Sequence, residues 1–272
     1  MTDRPNILWY CSDQQRFDTI AALGNAHINT PRLDAFAREG VAFTHAYCQS
    51  PICTPSRASF LTGTYPGANG VTGNGNEFFP REQESRLLPH RLAKSGYDCG
   101  LVGKLHLASA ADGVENRVDD GYRYFQYSHD HRGPRVYGHD YAEWVREQGG
   151  DADGLMAPYQ TKNYREGARI ATFGGLYEPT ASTDNIPPGQ HQTRWCSEKS
   201  IEFIDKNRTE GQPWMLSVNP FDPHPPYDAP WEYYRRYDPE TLPGAHFAAG
   251  DIEQQQRLAA GGIDFQSEAK DP

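Results

Sequence analysis

Short apolar runs alternate with amphipathic segments along this chain. "NILWYCS" (6–12) is a continuous apolar run that breaks at "DQQ", and it predicts a buried strand of a parallel sheet. "NTPRLDAFAREG" (29–40) predicts a helix, with Thr30 as cap, Pro31 at the first position and Gly40 as stop. "VAFTHAYC" (41–48) predicts a second strand. "TPSRASFLTG" (54–63) predicts a short helix capped by Thr54 and ended by Gly63. "SRLLPHRLAKSG" (85–96) has helical spacing interrupted by Pro89, and "YDCGLVGKLHL" (97–107) predicts a strand that runs into a loop.

From about 108 to 190 the periodicity dissolves into Gly, Asp, His, Tyr and Pro. That is too long for a plain loop, so it is expected to be an insertion with small elements of its own. Helical spacing returns over 192–207. "PWMLSVNPFDPHPPYDAP" (213–230) predicts a strand and a proline-fixed loop, and the tail is part helix and part irregular. Strands alternating with helices define an α/β fold, a mostly parallel central sheet flanked by helices. Ligands of such sheets bind beyond the carboxyl ends of the strands. Asp13, Lys104, His106 and His224 fall at those ends, and Cys53 follows the second predicted strand and opens a helix.

Composition narrows the partners. The chain has 272 residues, a net charge of −10 and no basic block, which argues against a nucleic-acid face. The five cysteines, Cys11, Cys48, Cys53, Cys99 and Cys196, fit no zinc spacing. Cys11 and Cys99 lie in strand-like runs and are expected to be buried free thiols. No run is long enough to span a membrane, and the first residues lack a cleavage site, so a reduced cytoplasmic setting is expected.

Cys53 is the most informative position. A side chain at a helix N-terminus meets free N–H groups and the positive end of the dipole, and Arg57 lies one turn on along the same face. Together they favour an anion, either a thiolate or a bound oxyanion. The plain alternative is a structural cysteine with Arg57 in a surface ion pair.

"CTPSRASFLTG" resembles the signature of the type I, formylglycine-dependent sulfatases of the alkaline phosphatase superfamily: Cys-x-Pro-Ser-Arg followed by Leu-Thr-Gly. "RPNILWYCSDQQ", "GKLHL" and "NPFDPHPPY" resemble further motifs of that family in the same order. The resemblance implies a sulfuric ester hydrolase in which a maturation enzyme oxidises Cys53 to formylglycine. One hydroxyl of the aldehyde hydrate attacks sulfur, and the other supplies the exit that releases sulfate. It implies a divalent cation, usually calcium, with manganese and magnesium as alternatives, ligated by Asp13, Gln14 and position 53. It assigns Arg57 to charge neutralisation, Lys104 and His224 to sulfate oxygens and leaving-group protonation, and His106 to a geminal hydroxyl.

Gln14 departs from the paired aspartates of many sulfatases and resembles choline sulfatases and phosphonate monoester hydrolases. A phosphonate or phosphate ester hydrolase therefore stands as the same-scaffold alternative. Asp222 reads as a turn residue. His129, Asp130, His131, His139 and Asp140 tempt a metal reading, but they lie between the third and fourth motifs, where the family carries no ligands. The family's later ligand pair, an Asp followed by Asn or His, has no counterpart after His224, because Asp251 and Asp264 lack a preceding apolar strand. The chain is accordingly expected to be the N-terminal catalytic portion of a sulfatase, truncated at the C-terminus and lacking the C-terminal subdomain. A small sulfate ester and a complementing C-terminal segment are its expected partners. A non-catalytic, sulfatase-like module that binds an anionic ligand is the remaining alternative.

Overall fold

A computed structural model describes residues 4–110, 113–130, 138–156, 186–224, 229–244 and 248–261. Its centre is a four-stranded sheet in the order β1-β4-β2-β3, built from β1 (Ile7–Tyr10), β2 (Asp98–Gly103), β3 (Tyr124–Tyr127) and β4 (Trp214–Asn219). Every pairing is parallel: Leu8 faces Leu216, Leu101 faces Ser217, and Leu101 faces Phe125. Nine helices are described: α1 (Pro31–Glu39), α2 (Cys53–Thr62), α3 (Pro66–Asn69), α4 (Leu88–Lys94), α5 (Asp140–Glu147), α6 (Ala152–Met156), α7 (Gln192–Glu210), α8 (Trp231–Tyr234) and α9 (Asp251–Ala260). The chain divides into two compact units, residues 1–159 with 188–224, and residues 160–187 with 225–272. The second unit contributes α8 and α9 among its described residues.

Parallel strands joined by crossover helices bury both sheet faces. One apolar cluster joins α5 and α7 to the sheet through Tyr141, Trp144, Trp195, Phe203, Leu216 and Val218. The other joins α2 and α4 to the opposite face through Ala58, Leu61, Leu87, Leu101, Leu105 and Met215. All residues of β2 and β4 are buried, as continuous apolar runs predict. Gly103 is required where these strands meet. Its φ is +105°, and a Cβ there would lie 2.1 Å from the Asn219 carbonyl oxygen.

Several expectations change. β1 is not buried: Leu8 is 52% and Tyr10 57% exposed, because β1 pairs with β4 on one side only. An apolar run marks a strand without saying how many neighbours cover it. Cys11, just past β1, is half-buried, whereas Cys99 is buried. Residues 41–48 form no strand; Val41, Phe43 and Tyr47 are each about 80% exposed, and no ladder partner among the described residues holds them extended. Helix α2 begins at Cys53 with Ile52 as cap, so Thr54 lies inside it. Thr30 makes no capping bond to the α1 backbone; its hydroxyl donates to Asp34 instead. Within the stretch expected to be an insertion, residues 124–127 join the main sheet as β3, and α5 packs Tyr141, Trp144 and Val145 into the core.

Candidate functional site

The carboxyl ends of β1, β2 and β4 and the start of α2 carry the predicted residues. β1 is followed by Asp13, which is 6% exposed although the strand itself is open. The Asp13 N–H donates to the Asp222 carbonyl (3.2 Å), which ties the loop after β1 to the loop after β4. β2 is followed by Lys104, which is 1% exposed, and its ammonium lies 2.5 Å from Asp13 Oδ2. Arg57, one turn into α2 and also buried, lies 3.4 Å from the same oxygen. The Cys53 thiol donates to Asp13 Oδ1 (3.8 Å). One carboxylate is thus the hub of two buried cations and the thiol.

This hub shapes the electrostatics. Burial opposes ionisation of Asp13, but Lys104 and Arg57, with His224, overcome it and hold the carboxyl well below its ordinary range. Burial pushes the Cys53 thiol up, and Lys104 and Arg57 offset this only in part. Of the two anions expected there, a thiolate or a bound oxyanion, the thiolate is therefore not favoured: the helix end and Arg57 are outweighed by desolvation and by Asp13. Burial holds the His106 imidazole well below its ordinary value, reinforced by Lys104 and Arg57. His106 is neutral near pH 7, as a proton acceptor must be.

The supporting contacts are backbone-centred. Arg57 Nη1 (2.7 Å) and Asn219 Nδ2 (2.9 Å) both donate to the Lys104 carbonyl, and the Thr54 N–H donates to Asn74 Oδ1 (3.0 Å). The Lys104 ammonium sits 5.0 Å from the Phe221 ring centre. After β4, the Phe221 N–H donates to Gln192 Oε1 (3.1 Å), and the Thr193 hydroxyl donates to Asp222 Oδ2 (2.8 Å). The first turn of α7 thereby anchors the loop that carries His224. Asp222 is that anchor, more than the simple turn residue the sequence suggests.

Asp13, Cys53 and His224 offer ligand atoms that all lie within 4.8 Å of one another. Gln14 is exposed, with φ of +59°. A hard cation such as calcium takes six to eight oxygens. One carboxylate already held by Lys104 and Arg57, a thiol and an imidazole do not make that cage, so the described residues do not fit calcium by themselves. Of the histidine-rich stretch, His131 lies outside the described residues. Asp140 accepts the Tyr127 N–H (2.6 Å), and His139 Nε2 lies 3.3 Å from the Gly113 carbonyl oxygen. Among the described residues these side chains form no metal-ligating group; a second such group, Glu84, His90 and Asp119, lies elsewhere.

A parallel α/β sheet thus carries buried Asp13, Arg57 and Lys104, with half-buried Cys53 and His224, at its carboxyl edge, and comparison identifies the family. The sulfatase family profile matches residues 5–259, and the chain belongs to the sulfatase family of the alkaline phosphatase superfamily. It is 29% identical over 245 residues to an arylsulfatase of Clostridium perfringens, covering 88% of this chain and 47% of that protein. It is 29% identical over 240 residues to an ulvan-active sulfatase of Formosa agariphila, covering 88% of this chain and 39% of that protein. The fold is shared with the crystal structure of a phosphonate monoester hydrolase of Agrobacterium radiobacter: TM-score 0.67, 24% identity, 94% of this chain and 48% of that one. The chain therefore spans about half the length, or less, of the relatives it matches.

Proposed function

We propose that the chain is the nucleophile-bearing portion of a sulfuric ester hydrolase that releases inorganic sulfate, with Cys53 converted to formylglycine by a maturation enzyme. The observation that carries this reading is the convergence of Cys53, Arg57, Lys104 and His224 on the Asp13 carboxylate. A formylglycine hydrate supplies a nucleophilic hydroxyl and a second hydroxyl through which the ester is released. The raised thiol fits a precursor better than a cysteine nucleophile. Arg57 and Lys104 offer two buried positive charges to the oxygens of an anionic ester, which a dry site makes strong. Neutral His106 accepts the proton of a geminal hydroxyl, and His224 donates toward the leaving group.

A divalent cation, by family chemistry calcium, belongs to this reading, with Asp13 and Gln14 as its contribution from this chain. The remaining oxygens are assigned to a complementing segment. The half-length match to the relatives and the uncovered edge of β1 support that assignment. The isolated chain is expected to bind calcium weakly and to turn over poorly, and both properties are expected to rise when the segment is supplied in trans.

The deciding measurement is the mass of the tryptic peptide ending at Arg57, from protein made in its own host. An aldehyde or its hydrate at position 53 supports the sulfatase reading; an unmodified thiol favours a non-catalytic module that binds an anionic ligand. The exposed Gln14 and the shared fold of the phosphonate monoester hydrolase favour a second reading, phosphonate ester hydrolysis on the same residues. Parallel assays with aryl sulfate and aryl phosphonate esters separate the two.

A further inference from the structure

Glu115 is a buried carboxylate that no motif explains. It is 3% exposed, and four donors converge on it. The N–H of His106 donates to Oε2 (2.6 Å), and the N–H groups of Leu107 and Ala108 donate to Oε1 (2.8 and 3.3 Å). The Tyr127 hydroxyl also donates to Oε2 (3.2 Å). Three successive N–H groups converging on one anion form a nest. This nest exists because His106 adopts φ of +53°, a left-handed backbone that a histidine holds only when its surroundings over-determine it.

The segment is pinned from both sides. The Lys104 carbonyl accepts from Arg57 and Asn219, and two residues on, the chain turns onto Glu115. Lys104 reaches Asp13 from one end of this segment. The His106 ring packs edge-on against His129, with centroids 4.3 Å apart. Burial outweighs the lowering effect of its backbone donors and raises the Glu115 carboxyl to about 7. All four neighbours are donors, so the ionised form is the one that satisfies them.

We propose that Glu115 is the positioning residue of the candidate site. Its carboxylate fills the N–H nest of residues 106–108 and fixes the left-handed turn that presents Lys104 and His106. The positioning of side chains stands on geometry alone; its consequence for catalysis rests on the sulfatase reading. Glu115 touches no reacting atom and acts through the backbone of the turn.

Amide hydrogen exchange of the 272-residue chain tests this directly. Glu115→Gln removes the charge and one acceptor oxygen, and is expected to speed exchange at residues 106–108 by at least about tenfold over the rest of β2 and its loop. Exchange at these amides unchanged, or raised only in step with the whole protein, overturns the proposal. The second readout is a stability cycle. Glycine at position 106 has no left-handed strain to be held, so Glu115→Gln is expected to destabilise the His106→Gly background much less than the wild type. Equal destabilisation in both backgrounds means a merely structural carboxylate and overturns the proposal.

Should Glu115→Gln not fold, Glu115→Asp keeps the charge but withdraws it by one methylene. It is read by the same exchange, with the same two outcomes. If the chain, alone or complemented, hydrolyses 4-nitrophenyl sulfate, Glu115→Gln is expected to lower kcat about tenfold or more with KM within about twofold, as for lost transition-state positioning. Failure of the complemented, formylglycine-bearing wild type to hydrolyse this ester counts against the sulfatase reading. The exchange and stability results still decide the role of Glu115.

Discussion

β1 and β4 lie side by side in register, and both read as apolar runs, yet they live in different environments. β4 has a strand on each side and helices over both faces, and every residue is buried. β1 has one neighbour among the described residues, and Leu8, Trp9 and Tyr10 are 52, 39 and 57% exposed. The loops that follow them show less contrast. Asp13, after the open strand, is buried like Lys104 after the covered one, at 6% against 1% exposed, because Lys104 and Arg57 reach it and the Asp222 carbonyl holds its backbone. The edge strand is anchored where the chemistry is and left open elsewhere. Site and sheet centre are thus stabilised by different forces, the first by charge pairing and the second by apolar cover.

The sharpest test of that contrast is Asp13→Ala. It leaves Lys104 and Arg57 buried without a counter-charge, and is expected to cost about 3–5 kcal/mol in urea unfolding, along with any hydrolytic activity. A cost under about 1 kcal/mol would mean that the carboxylate is not the hub. Next comes Leu216→Ala at the fully buried centre of β4, expected to cost about 2–5 kcal/mol by the same measurement.

His139 gives a pH-dependent effect at the far edge of the sheet. Burial holds its imidazole down at about 4, and its ring packs edge-on against Tyr127. A histidine depressed in the folded state contributes stability above its ordinary value of about 6.5, lost as pH falls through the interval to about 4. Relative to His139→Gln, the wild type is therefore expected to lose up to about 3 kcal/mol between about pH 6.5 and pH 4, and nothing further outside that window. Unfolding midpoints at half-unit pH steps check this, and a wild type that gains stability relative to His139→Gln as pH falls would reverse the sign.

The smallest effect is expected for Leu8→Ala, directly opposite Leu216. Half exposed, it should change stability by less than about 0.5 kcal/mol. Repeating Leu8→Ala in the presence of a complementing segment sharpens the comparison. If that segment covers β1, the cost should rise toward the value for Leu216.

The motif-bearing side chains were legible in the chain itself. Cys53 and Arg57 are one turn apart, and helical spacing alone puts them on one face. Lys104 and His224 follow apolar runs, and parallel-sheet logic puts them at one edge. Glu115, Asn74, Asn219 and Thr193 were not legible. They act by holding backbone groups or by tying one loop to another, and such contacts leave no periodicity or motif. The strand expected at 41–48 shows the opposite failure. β-branched and aromatic residues were present there, but a strand needs a partner, and none pairs with it among the described residues.

What the sequence determined by itself was local: apolar runs long enough for strands, α2 ending at Gly63 in the left-handed turn that glycine permits, and the residue types that make an anion site. Tertiary structure decided which runs gained neighbours, and so which strand was buried and which left as an edge. It also decided the charge states, because only the packed arrangement puts Lys104 and Arg57 against one oxygen of Asp13 and removes the water that would have screened them. Proximity along the chain is written in residue order, whereas burial and field are sums over neighbours brought in from 40 to 200 residues away, and they exist only once the sheet has closed.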